Sequence, residues 1–196
     1  MPSESLSILL AGVDDVRRGT LESGLREAGY DQLKMAQDIS GIAKLIDAEK
    51  PGAIVIDLGD PDQELLESLF QLVEVVQKPF VIYVNSTNEA TKEAAIDAGV
   101  SAYIVDGLTK EQAAPVLEMA VRRFNSYLRM VNELGDAKAV LEERKVIDRA
   151  KDLLMQSQGL SEEEAFSLMR KTAMNQNRKL REVAESLVVA GGLLKK

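Results

Sequence analysis

Apolar positions along the first 125 residues fall into two alternating patterns. Short runs of consecutive apolar residues alternate with stretches in which apolar residues recur every three or four positions. The first pattern predicts buried strands, the second amphipathic helices. A strand is predicted at 7–12, a helix at 16–28 with Leu21, Leu25 and Ala28 on one face, and a weak strand at 32–36. A short helix follows at 42–48, closed by Lys50-Pro51-Gly52. The run Ala53-Ile54-Val55-Ile56-Asp57 predicts the clearest strand, ending at Asp57. A helix at 65–76, a strand at 79–84, a helix at 91–98 and a strand at 102–105 continue the alternation, and a further helix begins near Lys110. Apolar strands alternating with helices imply a parallel sheet covered on both faces. Five such units fit a flavodoxin-like doubly wound α/β fold with strand order 2-1-3-4-5, whose crevice lies at the carboxyl ends of the first and third strands.

From Lys110 onward the period is helical throughout. Leu117, Val121, Phe124, Leu128 and Val131 follow a heptad seam, Gly135-Asp136 interrupts it, and Val140, Ile147 and Leu154 resume it. The seam predicts either a helix that pairs two chains or a stripe that packs within one. Three helices are predicted beyond it. The first runs over 138–158 and stops at Gly159. The second opens at the capping box Ser161-Glu162-Glu163-Glu164 and carries Ala165, Phe166, Leu168, Met169, Ala173 and Met174. A break at 175–177 precedes the third, led by Arg178, with Leu180, Val183, Ala184, Leu187 and Val188 inward and Gly191-Gly192 as its end. The domains so defined are 1–125, a connector at 126–142, and 143–196.

Charge divides the chain in the same place. The net charge is −8. Residues 1–143 hold 13 Lys/Arg against 25 Asp/Glu, whereas residues 144–196 hold 11 against 7. An acidic body joined to a basic tail implies two jobs, the second compatible with phosphate contact. There is no cysteine and no histidine. That removes thiol chemistry, zinc ribbons and every nucleophile that relies on histidine, so no enzyme is expected. No apolar run approaches the roughly 18 residues that span a bilayer, and the N-terminus lacks the basic start of a signal peptide; a cytoplasmic protein without membrane contact is the expectation.

Two places can carry chemistry. Asp14 and Asp15 follow the first strand and Asp57 closes the third. Carboxylates converging there would repel unless a hard cation such as Mg²⁺ sat between Asp14 and Asp57, beside which Asp57 could accept a phosphoryl group. Asp residues after strands also simply cap helices. In the C-terminal part, Arg170, Lys171, Arg178, Lys179 and Arg181 gather around the junction of the second and third helices, with Met174 and Asn177 among them and Lys151 on the first. Such a cluster suits phosphate and base contacts, or is a solvated basic face.

Two resemblances sharpen these readings. Ala53-Ile54-Val55-Ile56-Asp57-Leu58-Gly59-Asp60-Pro61, with Ala98 to Val105, resembles the phosphoacceptor and fifth-strand segments of the receiver domains of two-component response regulators. The resemblance implies Asp57 as phosphoacceptor, Tyr103 as switch aromatic with Ser86 and Thr87 near the hydroxyl position, and an acidic pocket of Asp14 and Asp15, to which this sequence adds Asp106. The sequence departs from that pattern where the family carries Lys-Pro after the fifth strand: here the pair is Asp106-Gly107. The hydroxyl position falls on Val84, and ungapped spacing places Gly12 and Val13 where the acids belong. A receiver-shaped domain that signals mainly through protein contact, with Asp57 vestigial, is therefore favoured over ordinary phosphorylation.

The segments 143–147, 150–155, 159–166, 168–174 and 179–184 resemble, in order and spacing, the signature of the ANTAR domain. That family implies transcription antitermination through stem-loops in leader RNA. The whole layout is similar to the NasT-like, nitrate-assimilation type, with the amide-responsive AmiR type related. It implies a ligand-sensing regulatory partner in place of a histidine kinase; the homodimer is the expectation from the heptad seam. A DNA-binding response regulator and a pure protein-interaction module remain the alternatives; the breaks at 156–161 and 175–177 do not make the compact turn of a helix-turn-helix.

Overall fold

The structure, a computed structural model, describes residues 6–12, 14–36, 39, 41–107 and 109–193. The chain forms two compact units, Met1–Leu128 and Arg129–Lys196.

The first unit contains β1 (Ile8–Gly12), α1 (Asp15–Glu27), β2 (Leu33–Ala36), α2 (Ile42–Glu49), β3 (Ala53–Gly59), α3 (Gln63–Val76), β4 (Phe80–Val84), α4 (Glu89–Asp97) and β5 (Ala102–Val105). The five strands are parallel, in the order β2-β1-β3-β4-β5 that the sequence predicts. Alternation along the strands feeds two cores. Leu9, Ile54, Ile56, Phe80 and Ile82 pack with Ile42 and Ile46 of α2, Leu66, Leu69, Phe70 and Val73 of α3, and Ala95 of α4. Ile8, Leu10, Val55, Val81 and Tyr83 pack on the other face with Leu21 and Leu25 of α1 and with Ala113, Leu117 and Ala120. Each large apolar side chain so buried contributes about 2 kcal/mol. Gly24 lets α1 lie against the chain at Lys110, whose carbonyl a Cβ at position 24 would strike.

Three boundaries differ by two residues from the sequence reading. β3 runs on to Gly59, with a register shift between Asp57 and Gly59, so Asp57 lies inside the strand and not at its end. α3 and α4 each begin two residues earlier than predicted, because Asp62 and Asn88 accept hydrogen bonds from the amides of Leu65 and Thr91 and fix the first turn.

α5 (Lys110–Gln158) begins in the first unit and ends in the second as one 49-residue helix. Gly135-Asp136, which interrupts the heptad seam, leaves the helix unbroken: Gly135 is exposed, and helical turns on both sides carry it for about 1 kcal/mol relative to alanine. The second unit adds α6 (Glu162–Gln176) and α7 (Leu180–Leu193). Its core joins Ala150 and Leu154 of α5, Ala165 and Met169 of α6, and Ala184 of α7. The predicted inward face of α7 is observed, but Phe166, Leu168 and Met174 on α6 are exposed. The break between α6 and α7 shifts two residues on, to Asn177–Lys179, with Asn177 in the left-handed region at φ 50°. α7 continues through Gly191 and Gly192 to Leu193. Gly191 serves close packing: a Cβ there would lie 2.8 Å from Cδ1 of Leu153. No helix among the described residues is long and apolar enough to cross a membrane.

Candidate functional site

Two sites emerge, one in each unit. The first lies at the carboxyl end of β3. Asp57 is fully buried, yet it is not free. Arg17, on the first turn of α1, donates from Nε to Asp57 Oδ2 and from Nη2 to Oδ1, each at 2.8 Å. A two-point guanidinium–carboxylate contact is the strongest form of ion pair available to a protein. The pairing with Asp57 holds the Arg17 pKa above its ordinary value. A third donor of Arg17, Nη1, reaches Asn85 Oδ1 at 2.5 Å. Asn85 passes its own amide hydrogen to Asp60 Oδ2 at 2.8 Å, and the hydroxyl of Ser86 donates to Asp60 Oδ1 at 3.2 Å. Beneath this network the buried Tyr83 phenol is pushed up to about 12, first by desolvation and then by the charge of Asp57.

The other predicted carboxylates are spent elsewhere. Asp14 caps α1, its Oδ1 accepting from the amides of Val16 and Arg17 at 2.8 and 2.9 Å. That fixes the start of α1 and so aims Arg17 at β3. Asp15 pairs with Arg18. Asp106 is exposed at the end of β5 in the left-handed region, φ 46°, with its N–H on the Val84 carbonyl. The position of Val13 lies outside the described residues. Thr87 and Tyr103 meet, their hydroxyls 3.3 Å apart, at the rim of a groove of about 530 Å³ between α3 and α4 whose floor includes Leu66 and Phe70. Ser86 joins this side through Asp60. The structure thus brings Ser86, Thr87 and Tyr103 near one groove but does not join Asp14, Asp15 or Asp106 to Asp57 by any hydrogen bond. Arg17 and Asn85 were not foreseen from the sequence; the available signal was an arginine three residues after the capping Asp14.

The second site is the basic cluster, which the structure divides. Lys151 is nearly enclosed between Asp148 and Glu162, at 2.7 and 2.6 Å, which raise its pKa and tie α5 to the start of α6. Arg178 donates from Nη2 to the Glu182 carbonyl and the Ser186 hydroxyl, both at 2.8 Å, and holds the first turns of α7. Arg181 pairs with Glu185 at 2.8 Å, and Asn177 closes α6. These four are structural ties. Arg170, Lys171 and Lys179 are exposed, and their side chains form no ion pair among the described residues. Phe166 and Met174, 40% and 73% exposed, stand one turn to either side of Arg170 on α6.

Comparison with known proteins agrees with both units. Residues 135–188 match the ANTAR domain family. Over 178 residues the chain is 29% identical to the transcriptional regulatory protein PdtaR of Mycobacterium tuberculosis, covering 91% of this chain and 87% of that one. A stretch of 78 residues is 35% identical to the nitrate regulatory protein of Klebsiella oxytoca, covering 40% of this chain but 20% of that protein. The fold of the first unit is shared with a response regulator receiver domain protein from Methanospirillum hungatei, at a TM-score of 0.52, 20% identity, and 63% and 99% coverage of the two chains. The first unit has the receiver fold, and the helices of the second unit follow it. The chain is thus similar along most of its length to a transcriptional regulatory protein, and its match to the ANTAR domain family lies within residues 135–188.

Proposed function

We propose that this protein is a transcription antiterminator that binds stem-loop leader RNA through its second unit, under the control of its receiver-like domain. The observation that carries the reading is the α6 stripe. Within the segment matching the ANTAR family, unpaired Arg170 stands between exposed Phe166 and Met174, with Lys171 beside it. Unstacked loop bases are recognised by stacking on such side chains and on guanidinium planes, while lysines and arginines hold the backbone. Control passes through a ligand-sensing partner protein and not a histidine kinase, because Asp57 is occupied by Arg17 and the residue after β5 is acidic. Nitrate-assimilation genes are the favoured target, on the strength of the Klebsiella relative.

The active form is a homodimer in the cytoplasm. The heptad line that buries Ala113, Leu117 and Ala120 in the first unit continues along α5 through Phe124 to Tyr127, Val131 and Leu134, which are 62%, 44% and 57% exposed. A stripe of that length is covered by a second copy of the same helix.

The test is binding of the purified protein to a paired stem-loop RNA at fixed salt, for wild type and for Arg170→Ala/Lys171→Ala. Tight binding that the variant loses, and that duplex DNA does not compete, supports the reading. Competition by duplex DNA would favour a DNA-binding regulator, and no binding by either protein would leave a protein-interaction module.

A further inference from the structure

Receiver folds are expected to hold a divalent cation between acidic side chains at the crevice, and the side chains present here do not fit one. Both oxygens of Asp57 are taken by Arg17, the Oδ1 of Asp14 is taken by two backbone amides, and among the described residues no three acidic side chains converge into a cation-holding group. The buried charge of Asp57 is nevertheless matched, because the guanidinium of Arg17 pairs with it. Arg17 is 29% exposed and Asp57 fully buried, so the carboxylate meets its counter-charge and not water.

We propose that Arg17 is the resident cation of this pocket and that it closes Asp57 to phosphoryl transfer. A carboxylate attacks phosphorus through a free lone pair on one oxygen, with a metal ion to draw off the charge of the incoming group. Here each oxygen of Asp57 accepts an N–H of Arg17 at 2.8 Å, and Oδ1 also faces the Gly59 amide at 3.4 Å. The same side chain reaches Asn85, and the chain of bonds runs on through Asp60 to Ser86. Arg17 therefore fixes α1, β3 and the segment after β4 in one arrangement without any ion or phosphoryl group. Its position is set by the Asp14 cap. This assignment stands independently of the RNA reading, since it concerns a pocket confined to the first unit.

The experiment uses the full chain. Wild type, Arg17→Gln and Arg17→Gln/Asp57→Asn are incubated with Mg²⁺ and acetyl phosphate, and separately with Mg²⁺ and beryllium fluoride. Intact mass reports a phosphoryl adduct, and thermal unfolding reports binding. Wild type is expected to gain no adduct and to melt at the same temperature with Mg²⁺, with Mg²⁺ and beryllium fluoride, or with EDTA. Arg17→Gln is expected to melt lower and to recover part of the loss on addition of Mg²⁺ with beryllium fluoride, a recovery abolished by Asp57→Asn. An Asp57-dependent adduct on wild type, or a rise in its melting temperature with Mg²⁺, overturns the assignment. So does an absence of response in Arg17→Gln, which would mean that something other than Arg17 closes the pocket. If Arg17→Gln does not fold, Arg17→Lys, which keeps the charge but cannot hold both oxygens, is read by the same criteria.

Discussion

The guanidinium of Arg17 and the carboxylate of Asp57 meet edge to edge, Nε on Oδ2 and Nη2 on Oδ1, across 40 residues of sequence. Removing Arg17 strands the Asp57 carboxylate in a site without water, whereas Arg17, 29% exposed, keeps access to solvent when Asp57 is removed. Arg17→Ala is therefore expected to lose about 3 kcal/mol of stability, and Asp57→Ala less. The double variant Arg17→Met/Asp57→Leu is expected to recover much of either loss, because neither charge is then left buried. Denaturant titrations of the four proteins measure this as a double-mutant cycle; additive losses would show that the two side chains act separately.

The pair also marks where the sequence ceases to be legible. Asp57 stands out because it is the lone polar residue in a flat apolar strand. Arg17 does not, because an arginine in a first helical turn reads as an ordinary surface residue until the fold sets α1 beside β3. Lys151 and Arg178 have partners that the sequence does not display. Their charge was visible and their partners were not: Glu162 lies beyond a turn, and Ser186 two helical turns on. Strand order, the inward face of α7 and the capping box needed only period and local chemistry, and these the sequence displays. Gly135 and Gly191 sit inside helices for reasons no local rule contains, one carried by its flanking turns and the other admitting Leu153.

The Tyr83 phenol, held near pKa 12 in the folded chain against an ordinary value of 10.0, makes stability fall in alkali. Between those values the unfolded chain gives up the proton and the folded chain keeps it, so the unfolded state is favoured as pH rises, by at most about 1.4 kcal/mol per pH unit. Below pH 10 the group has no effect. Tyr83→Phe is expected to flatten the fall over this window, with a smaller slope of the same sign left by Tyr30, whose pKa burial also raises. Denaturation midpoints at stepped pH, with tyrosinate absorbance as a second readout, test this; an unchanged slope in Tyr83→Phe would exclude it.

Ser161 and Glu164 exchange hydrogen bonds at the start of α6, Glu164 Oε2 accepting from the Ser161 amide at 2.8 Å and Ser161 Oγ accepting from the Glu164 amide at 3.3 Å. Ser161→Ala is expected to cost about 1 kcal/mol. The bond from the Ser161 amide holds the Glu164 carboxyl below its ordinary 4.5. Its contribution is thus present above that pH and disappears as pH falls through the lower folded value. Acid titration of Glu164→Ala against wild type, followed by helical circular dichroism, should show the two curves converging at low pH.

The line Tyr127, Val131 and Leu134 on α5 is exposed among the described residues. Val131→Asp/Leu134→Asp would place two charges in the seam of any pair formed there. Sedimentation is expected to show a dimer for wild type and a monomer for the variant, with each folded to the same helical content. A wild-type monomer at every concentration would leave the stripe without a partner of its own kind.

The last prediction separates binding from stability within one cluster of cations. Arg170 is exposed and unpaired, so Arg170→Ala leaves the helix intact and removes only what the side chain offers to a partner. Lys151 is held by two carboxylates and only 14% of its side chain is exposed, so it offers little to a partner. Lys151→Ala frees the join between α5 and α6 and leaves two carboxylates facing one another. Against a stem-loop RNA, Arg170→Ala is expected to weaken binding by about 1–3 kcal/mol through lost base stacking. If it also contacts a phosphate, the slope of log K against log salt falls by about one. Its melting temperature should match wild type. Lys151→Ala should melt lower and, at a temperature where it is folded, bind with the wild-type salt slope. The reverse pattern, an RNA defect in Lys151→Ala without loss of stability, would move the binding surface from α6 to α5.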